Sequence, residues 1–243
     1  MLGLFPKLNN MCNLLIASTS TVYGQKYLEY LEEEIISFYK NCRNVVFVPY
    51  ARPGGISWDE YTNIAAKAFN RLGIELKGIH RFESAGEAVK NADGFFAGGG
   101  NTFLLLKTIY EMGIMDTWKT RLNEGIPYMG TSAGSNILGQ TIQNTNDMPI
   151  VYPPSFNALG MVPFNINPHY MDPNPNLKHM GESRETRIKE YLVHNEVPVV
   201  GLREGSYLLV EGKRVRLQGP LTARIFTKER APYEIEAGEY LNF

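Results

Sequence analysis

Residues 126–134, Ile-Pro-Tyr-Met-Gly-Thr-Ser-Ala-Gly, constrain this chain more than any other stretch. A short apolar run enters Gly130-Thr131-Ser132-Ala133-Gly134, and the residues that follow can open a helix. Gly-x-Ser-x-Gly between a strand and a helix is the local form of a nucleophile elbow, with a serine on a sharp turn above a sheet. The glycines leave room for the strained turn, and the helix start offers free N–H groups where an oxyanion would form. Ordinary strand-to-helix turns also use Gly, Ser and Ala, so the rest of the chain has to decide between the two readings.

The surrounding pattern supplies the sheet that an elbow needs. Asn13–Ala17, Asn44–Tyr50, Ile74–Ile79 and Asp93–Ala97 read as short buried strands. Between them, Leu28, Leu31, Ile35 and Phe38 fall on one helical face, residues 58–72 form a second helix, and Ser84-Ala-Gly-Glu87 has the spacing of a capping box. A further helix runs through Leu104, Leu105 and Ile109. Such alternation predicts an α/β fold with a mainly parallel sheet and helices on both faces. Residues 143–182 break the pattern and are rich in Asn and Pro, as long functional loops often are. A helix over 185–193, a strand over 197–202, a hairpin turning at Glu211-Gly212 and alternation near 222–226 then predict antiparallel strands toward the C-terminus. No repeat or linker divides the chain, so residues 1–243 are expected to form one domain.

Composition excludes several classes. A net charge of −1 argues against nucleic acid or an anionic membrane as partner. Two cysteines, Cys12 and Cys42, are too few for a disulfide framework or a cysteine metal cluster. No apolar run approaches a membrane span, and the first residues lack the features of a signal peptide, so the expected location is cytoplasmic.

A serine nucleophile needs a base, and there are four histidines. His80 ends a predicted strand, His179 lies in a polar loop, and His194 follows a helix. His169, in Ile166-Asn-Pro-His169, directly follows an apolar run and so stands at a strand end, where a sheet enzyme displays its base. For the carboxylate that orients the imidazole, Asp147 gives the order Ser, Asp, His found in α/β-hydrolases, while Glu204 follows a predicted strand and competes with it. Gly98-Gly-Gly-Asn101 lacks the spacing of a nucleotide-binding loop, but the N–H groups of Gly99 or Gly100 can join that of Ala133 in an oxyanion hole.

With these residues in place, the chain resembles the S51 family of serine peptidases from about Leu14 onward. The resemblance is carried by Gly98-Gly-Gly-Asn-Thr-Phe103, Gly130-Thr-Ser-Ala-Gly134, Thr145-Asn-Asp-Met-Pro-Ile150, Ile166-Asn-Pro-His169, Gly181-Glu-Ser-Arg184 and Gly201-Leu-Arg-Glu-Gly205. It implies a flavodoxin-like fold, also akin to class I glutamine amidotransferases, and hydrolysis of dipeptides that begin with aspartate. It implies Ser132 as nucleophile and His169 as base, with Asp147 the first choice for the acid and Glu204 the alternative. Thr131 stands where the family often has tryptophan, and Ser135 where alanine is common. Residues 1–12 extend beyond the family's usual start.

An aspartyl side chain entering a partly dry pocket needs a cation, and arginine grips a carboxylate through two hydrogen bonds. Arg184 is the first candidate and Arg203 the second. The partner is thus a small Asp-Xaa peptide, with no metal or cofactor required, acted on by a monomer or homodimer. Three readings compete: a cyanophycinase-like peptidase for β-aspartyl linkages, an amidotransferase-like layout using His194-Asn-Glu196, and a non-catalytic ligand-binding relative.

Overall fold

The structure, a computed structural model, describes residues 11–173 and 181–242. Eleven strands lie in two sheets among these residues. In the larger sheet β1 (Asn13–Ala17), β2 (Asn44–Val48), β3 (Glu75–Gly78), β4 (Gly94–Ala97) and β5 (Tyr128–Thr131) run parallel. The hairpin β8 (Tyr207–Glu211) and β9 (Arg214–Gln218) joins antiparallel to β1, giving the order β3-β2-β4-β5-β1-β8-β9. The smaller sheet, in order β11-β10-β7-β6, holds β6 (Asn165–Pro168), β7 (Val199–Leu202), β10 (Ala223–Phe226) and β11 (Tyr233–Ile235). Only β6 and β7 are parallel in it. The sequence pattern anticipates the parallel sheet and the late antiparallel strands, but not their division between two sheets.

Period-two alternation explains how β1 is buried on both faces. Leu14 and Ile16 enter one apolar core, and Leu15 and Ala17 the other. The first core continues through Ile166, Val200 and Leu202, so it also packs against the smaller sheet.

Among the described residues seven α-helices connect the strands: α1 (Glu32–Phe38), α2 (Trp58–Arg71), α3 (Ala85–Asn91), α4 (Thr102–Glu111), α5 (Met115–Asn123), α6 (Ala133–Asn136) and α7 (Arg184–His194). The capping box that starts α2 is closed by Ser57 and Glu60, and Ser84 caps α3 by accepting from the Glu87 N–H. The first helix starts later than its apolar spacing suggests. Leu28 sits at φ 61, a 3-10 turn covers Glu29–Leu31, and the α-helix begins at Glu32. Leu28, Leu31 and Ile35 nonetheless reach the core together. The strand expected over 74–79 is shorter, because Ile79–Arg81 turn into a 3-10 segment. Helix α5 had no separate signal in the sequence; Gly113 at φ 65 ends α4 and lets the chain restart. The N-terminal extension, up to residue 10, and His179 lie outside the described residues. No helix among the described residues is long and apolar enough to cross a membrane.

Candidate active site

Ser132 links β5 to α6 at φ 52, ψ −110, a conformation rare outside glycine. The turn closes only because its flanks are glycine. A Cβ on Gly130 would overlap the backbone of Gly134, and one on Gly134 would overlap the Ala97 carbonyl. The turn is tied to the end of β1: Ser132 N–H donates to Ala17 O at 3.2 Å. Ser135 Oγ lies 2.7 Å from Ala17 O and 2.8 Å from Gly130 O. Ser135 therefore adds a buried clasp under the elbow.

His169 leaves the end of β6, also at positive φ (53°). Its Nε2 is 2.8 Å from Ser132 Oγ, and its Nδ1 is 2.6 Å from Glu204 Oε1. A carboxylate only accepts, so Nδ1 carries the proton toward Glu204 and Nε2 is left to accept from the serine hydroxyl. Glu204 lies two residues beyond β7, and Pro168 pairs with Leu202 across β6 and β7. The parallel register thus delivers histidine and glutamate side by side, while the serine comes from the other sheet. Ser18, just past β1, joins the two sheets. Its hydroxyl donates to Leu202 O at 2.7 Å and accepts the His169 N–H at 2.9 Å.

Asp147, the first choice from sequence order, is directed elsewhere. Its Oδ2 accepts from the N–H of Thr102 at 2.7 Å and the Thr102 hydroxyl at 2.5 Å. The carboxylate therefore occupies the first turn of α4, where backbone N–H groups and the helix dipole favour a negative charge. Asn136 Nδ2 donates to both Thr102 Oγ1 and Thr145 Oγ1, so this cluster ties the 143–150 loop to α4 and α6.

The glycine turn after β4 stands against the elbow. A Cβ on Gly99 would lie 3.2 Å from Ser132 Cβ, and Gly100 at φ 145 packs against Ala51. Among the described residues no carbonyl accepts the N–H of Gly99 or Gly100. Ala133 is the first residue of α6, where an N–H has no partner within its own helix.

The two arginine candidates separate clearly. Arg203 is committed to Asp172 and Glu234 through ion pairs of 2.7 and 2.8 Å, and it also donates to Thr222. The hydrogen bond to Glu234 is the main reason its pKa lies above the ordinary arginine value. Arg184 forms no ion pair among the described residues. It contacts the Pro168 carbonyl at 3.4 Å and lines a polar cleft of about 170 Å³ with Asn144, Asn146, Asn167 and Arg187. Burial pulls its pKa below the ordinary value.

His80 and His194 do not meet the serine. His80 Nε2 is 3.1 Å from Asp59, and His194 ends α7, while Glu196 pairs with Lys228. Among the described residues no group of three or more His, Cys, Asp and Glu is arranged to hold a metal ion. Sequence reasoning missed Ser18, Thr102 and Asn136 as parts of the site. The signals available are the polar run Ser18-Thr-Ser-Thr21 at the end of β1 and Thr102 within Gly98-Gly-Gly-Asn-Thr-Phe103.

A serine, histidine and carboxylate in hydrogen-bonded series, at the carboxyl ends of strands in an α/β fold, define the arrangement of a serine hydrolase. The family model for "Peptidase family S51" matches residues 14–218, and the chain belongs to that family and is a peptidase. Peptidase E of Streptomyces coelicolor is 44% identical over 230 residues, covering 95% of this chain and 93% of that protein. A probable alpha-aspartyl dipeptidase of Drosophila melanogaster is 42% identical over 228 residues, covering 90% and 94%. The fold is similar to a solved putative peptidase E from Listeria monocytogenes EGD-e (TM-score 0.66, 23% identity, 87% of this chain and 100% of that one). It is also similar to a peptidase from an acI-B1 actinobacterium (TM-score 0.73, 18% identity, 96% and 97%).

Proposed function

We propose that this chain is a dipeptidase that removes N-terminal aspartate from Asp-Xaa through an acyl-enzyme on Ser132. The observation that carries the reading is the relay from Ser132 Oγ to His169 Nε2 and from His169 Nδ1 to Glu204, at 2.8 and 2.6 Å. The aspartyl dipeptidase relative named above supports the substrate class.

In this scheme His169 takes the hydroxyl proton as Ser132 attacks the peptide carbonyl, and Glu204 stabilises the imidazolium. The oxyanion forms against the N–H groups of Ala133 and the 99–100 turn. His169 passes the proton to the leaving amine, and water repeats the attack on the acyl-enzyme. Arg184 reads the substrate's side-chain carboxylate, since a half-buried guanidinium with no ion pair among the described residues favours an incoming carboxylate. Arg203 instead holds the small sheet together. The groups invoked are all supplied by the protein, so a chelator is expected to leave turnover intact. The working unit is one domain spanning residues 1–243, as a monomer or homodimer in the cytoplasm.

The test is release of free aspartate from Asp-Leu by purified protein. Wild type is expected to turn over, and Ser132→Ala to lose activity by at least about 10³-fold. Arg184→Met is expected to erase the preference for Asp-Leu over Ala-Leu. An active Ser132→Ala variant overturns the mechanism, and preference for β-Asp-Arg over Asp-Leu overturns the substrate class.

A further inference from the structure

The turn Gly98–Gly100 presents a physical problem that the triad does not solve. A peptide flanked by two glycines rotates more freely than any other, because neither residue has a Cβ to restrict it. The Gly99–Gly100 peptide is such a unit, yet an oxyanion donor must already point at its target before charge develops there. The ends of the turn are tied by backbone bonds, Gly98 N–H to Val48 O at 3.4 Å and Asn101 N–H to Ala51 O at 2.7 Å. Neither bond fixes the plane of the peptide between them.

A side chain from α2 does. The Tyr61 hydroxyl donates to Gly99 O across 3.2 Å in the buried interior. The carbonyl and N–H of a trans peptide point in opposite directions, so a fixed Gly99 O holds the Gly100 N–H turned away from Tyr61. The phenol is itself closely confined. Its ring meets Phe47 edge-on at 5.0 Å, and the Arg52 guanidinium lies 4.6 Å over its face. A Cβ on Gly98 would overlap the Tyr61 hydroxyl, so that glycine is needed to admit the phenol. Burial raises the phenol's pKa, which keeps the donor proton in place. A cation over the ring face makes the hydroxyl a stronger donor.

We infer that Tyr61 is a positioning residue for the oxyanion site, holding the Gly99–Gly100 peptide in the orientation that the transition state requires. The inference rests on the peptidase function proposed above. It separates Tyr61 from an ordinary core aromatic, whose loss would weaken packing without selecting among steps of the reaction.

Tyr61→Phe keeps the ring and removes only the donor. Losing an oxyanion donor outright costs about 10²–10³-fold in rate, and a loosened donor less, so kcat for Asp-Leu should fall about 10–100-fold. KM and the affinity for free aspartate should stay within about twofold, because the ground state does not use the donor. A boronic acid analogue of aspartate, whose tetrahedral adduct places an oxygen in the hole, should bind more weakly by a factor similar to the kcat loss. Tyr61→4-aminophenylalanine restores an N–H donor at the same place and should recover most of the rate. Unchanged kcat in Tyr61→Phe, a loss carried by KM and aspartate affinity, no rescue by the amino variant, or loss of cooperative melting each overturns the assignment. Wild type without Asp-Leu turnover strikes the proposed function and Tyr61 with it. An active wild type with an equally active Tyr61→Phe strikes Tyr61 alone.

Discussion

Ser132 and His169 are both held at positive φ, which costs a non-glycine residue about 1–2 kcal/mol each. Both are braced from the same place, the end of β1. Ala17 O accepts from the Ser132 N–H and the Ser135 hydroxyl, and Ser18 Oγ accepts the His169 N–H. Removing the Ser18 hydroxyl strands the partly buried His169 N–H, at up to about 1–3 kcal/mol for an unsatisfied group, and takes one of two donors from Leu202 O, which keeps the Tyr170 N–H. Ser18→Ala is therefore expected to lower the melting temperature by several degrees and to reduce kcat as His169 loses its fixed orientation. Thermal melts alongside Asp-Leu kinetics check this, and an unchanged kcat would separate Ser18 from catalysis. Glu204 bears on His169 directly. Its side chain is about half exposed, so water screens part of its field, and the loss for Glu204→Gln should fall short of the roughly 10⁴-fold seen when a buried triad acid is neutralised. A drop of about 10²–10³-fold in kcat with little change in KM is expected; activity near wild type would remove Glu204 from the relay.

Helix α4 explains why chain order pointed to one acid and the geometry to another. Asp147 and Glu204 both stand in motifs between or beyond the serine and histidine, and nothing local distinguishes them. The distinction lies in register: Pro168 opposite Leu202 puts Glu204 beside His169, and the pairing of β6 with β7 within the smaller sheet is a non-local fact. Asp147 instead sits at the start of α4, where a carboxylate contributes about 0.3–1 kcal/mol, up to about 2 when partly buried. Asp147→Asn should therefore lower the melting temperature while keeping kcat within about tenfold of wild type. A loss as large as that of Glu204→Gln would return Asp147 to the chemistry. The turns at Ser132 and Gly98–Gly100 and the strand end at His169 were legible because each is a local feature. Ser18 and Tyr61 were not, because their roles are set by what the fold brings across from a distant strand or turn. Helix α5 escaped for a local reason, since a single left-handed Gly113 starts a new helix without leaving a loop long enough to notice.

At the scale of the molecule, the triad spans two sheets, so its geometry depends on how firmly the smaller sheet is built. A charge network does much of that work. Glu234 on β11 accepts from Arg203, Thr222 and Arg224, and Arg224 also pairs with Glu185 of α7. Burial alone would raise the Glu234 pKa, but the hydrogen bonds from Arg203 and Thr222 outweigh it and hold the carboxyl at about 2, against an ordinary 4.5. A folded pKa below the unfolded one means that the stabilisation is fully present above pH 4.5 and is lost as pH falls toward 2. Arg203 adjoins Glu204 in the chain, so loosening the network also disturbs the site. Glu234→Gln should therefore be less stable than wild type at pH 7, and the gap between them should close as pH drops from about 4.5 toward 2. Urea unfolding of both proteins at pH 7, 5 and 3 measures that gap directly. A gap of constant size across the series would mean that Glu234 contributes by packing rather than by charge, and the triad would then owe its registration to the apolar core that the two sheets share.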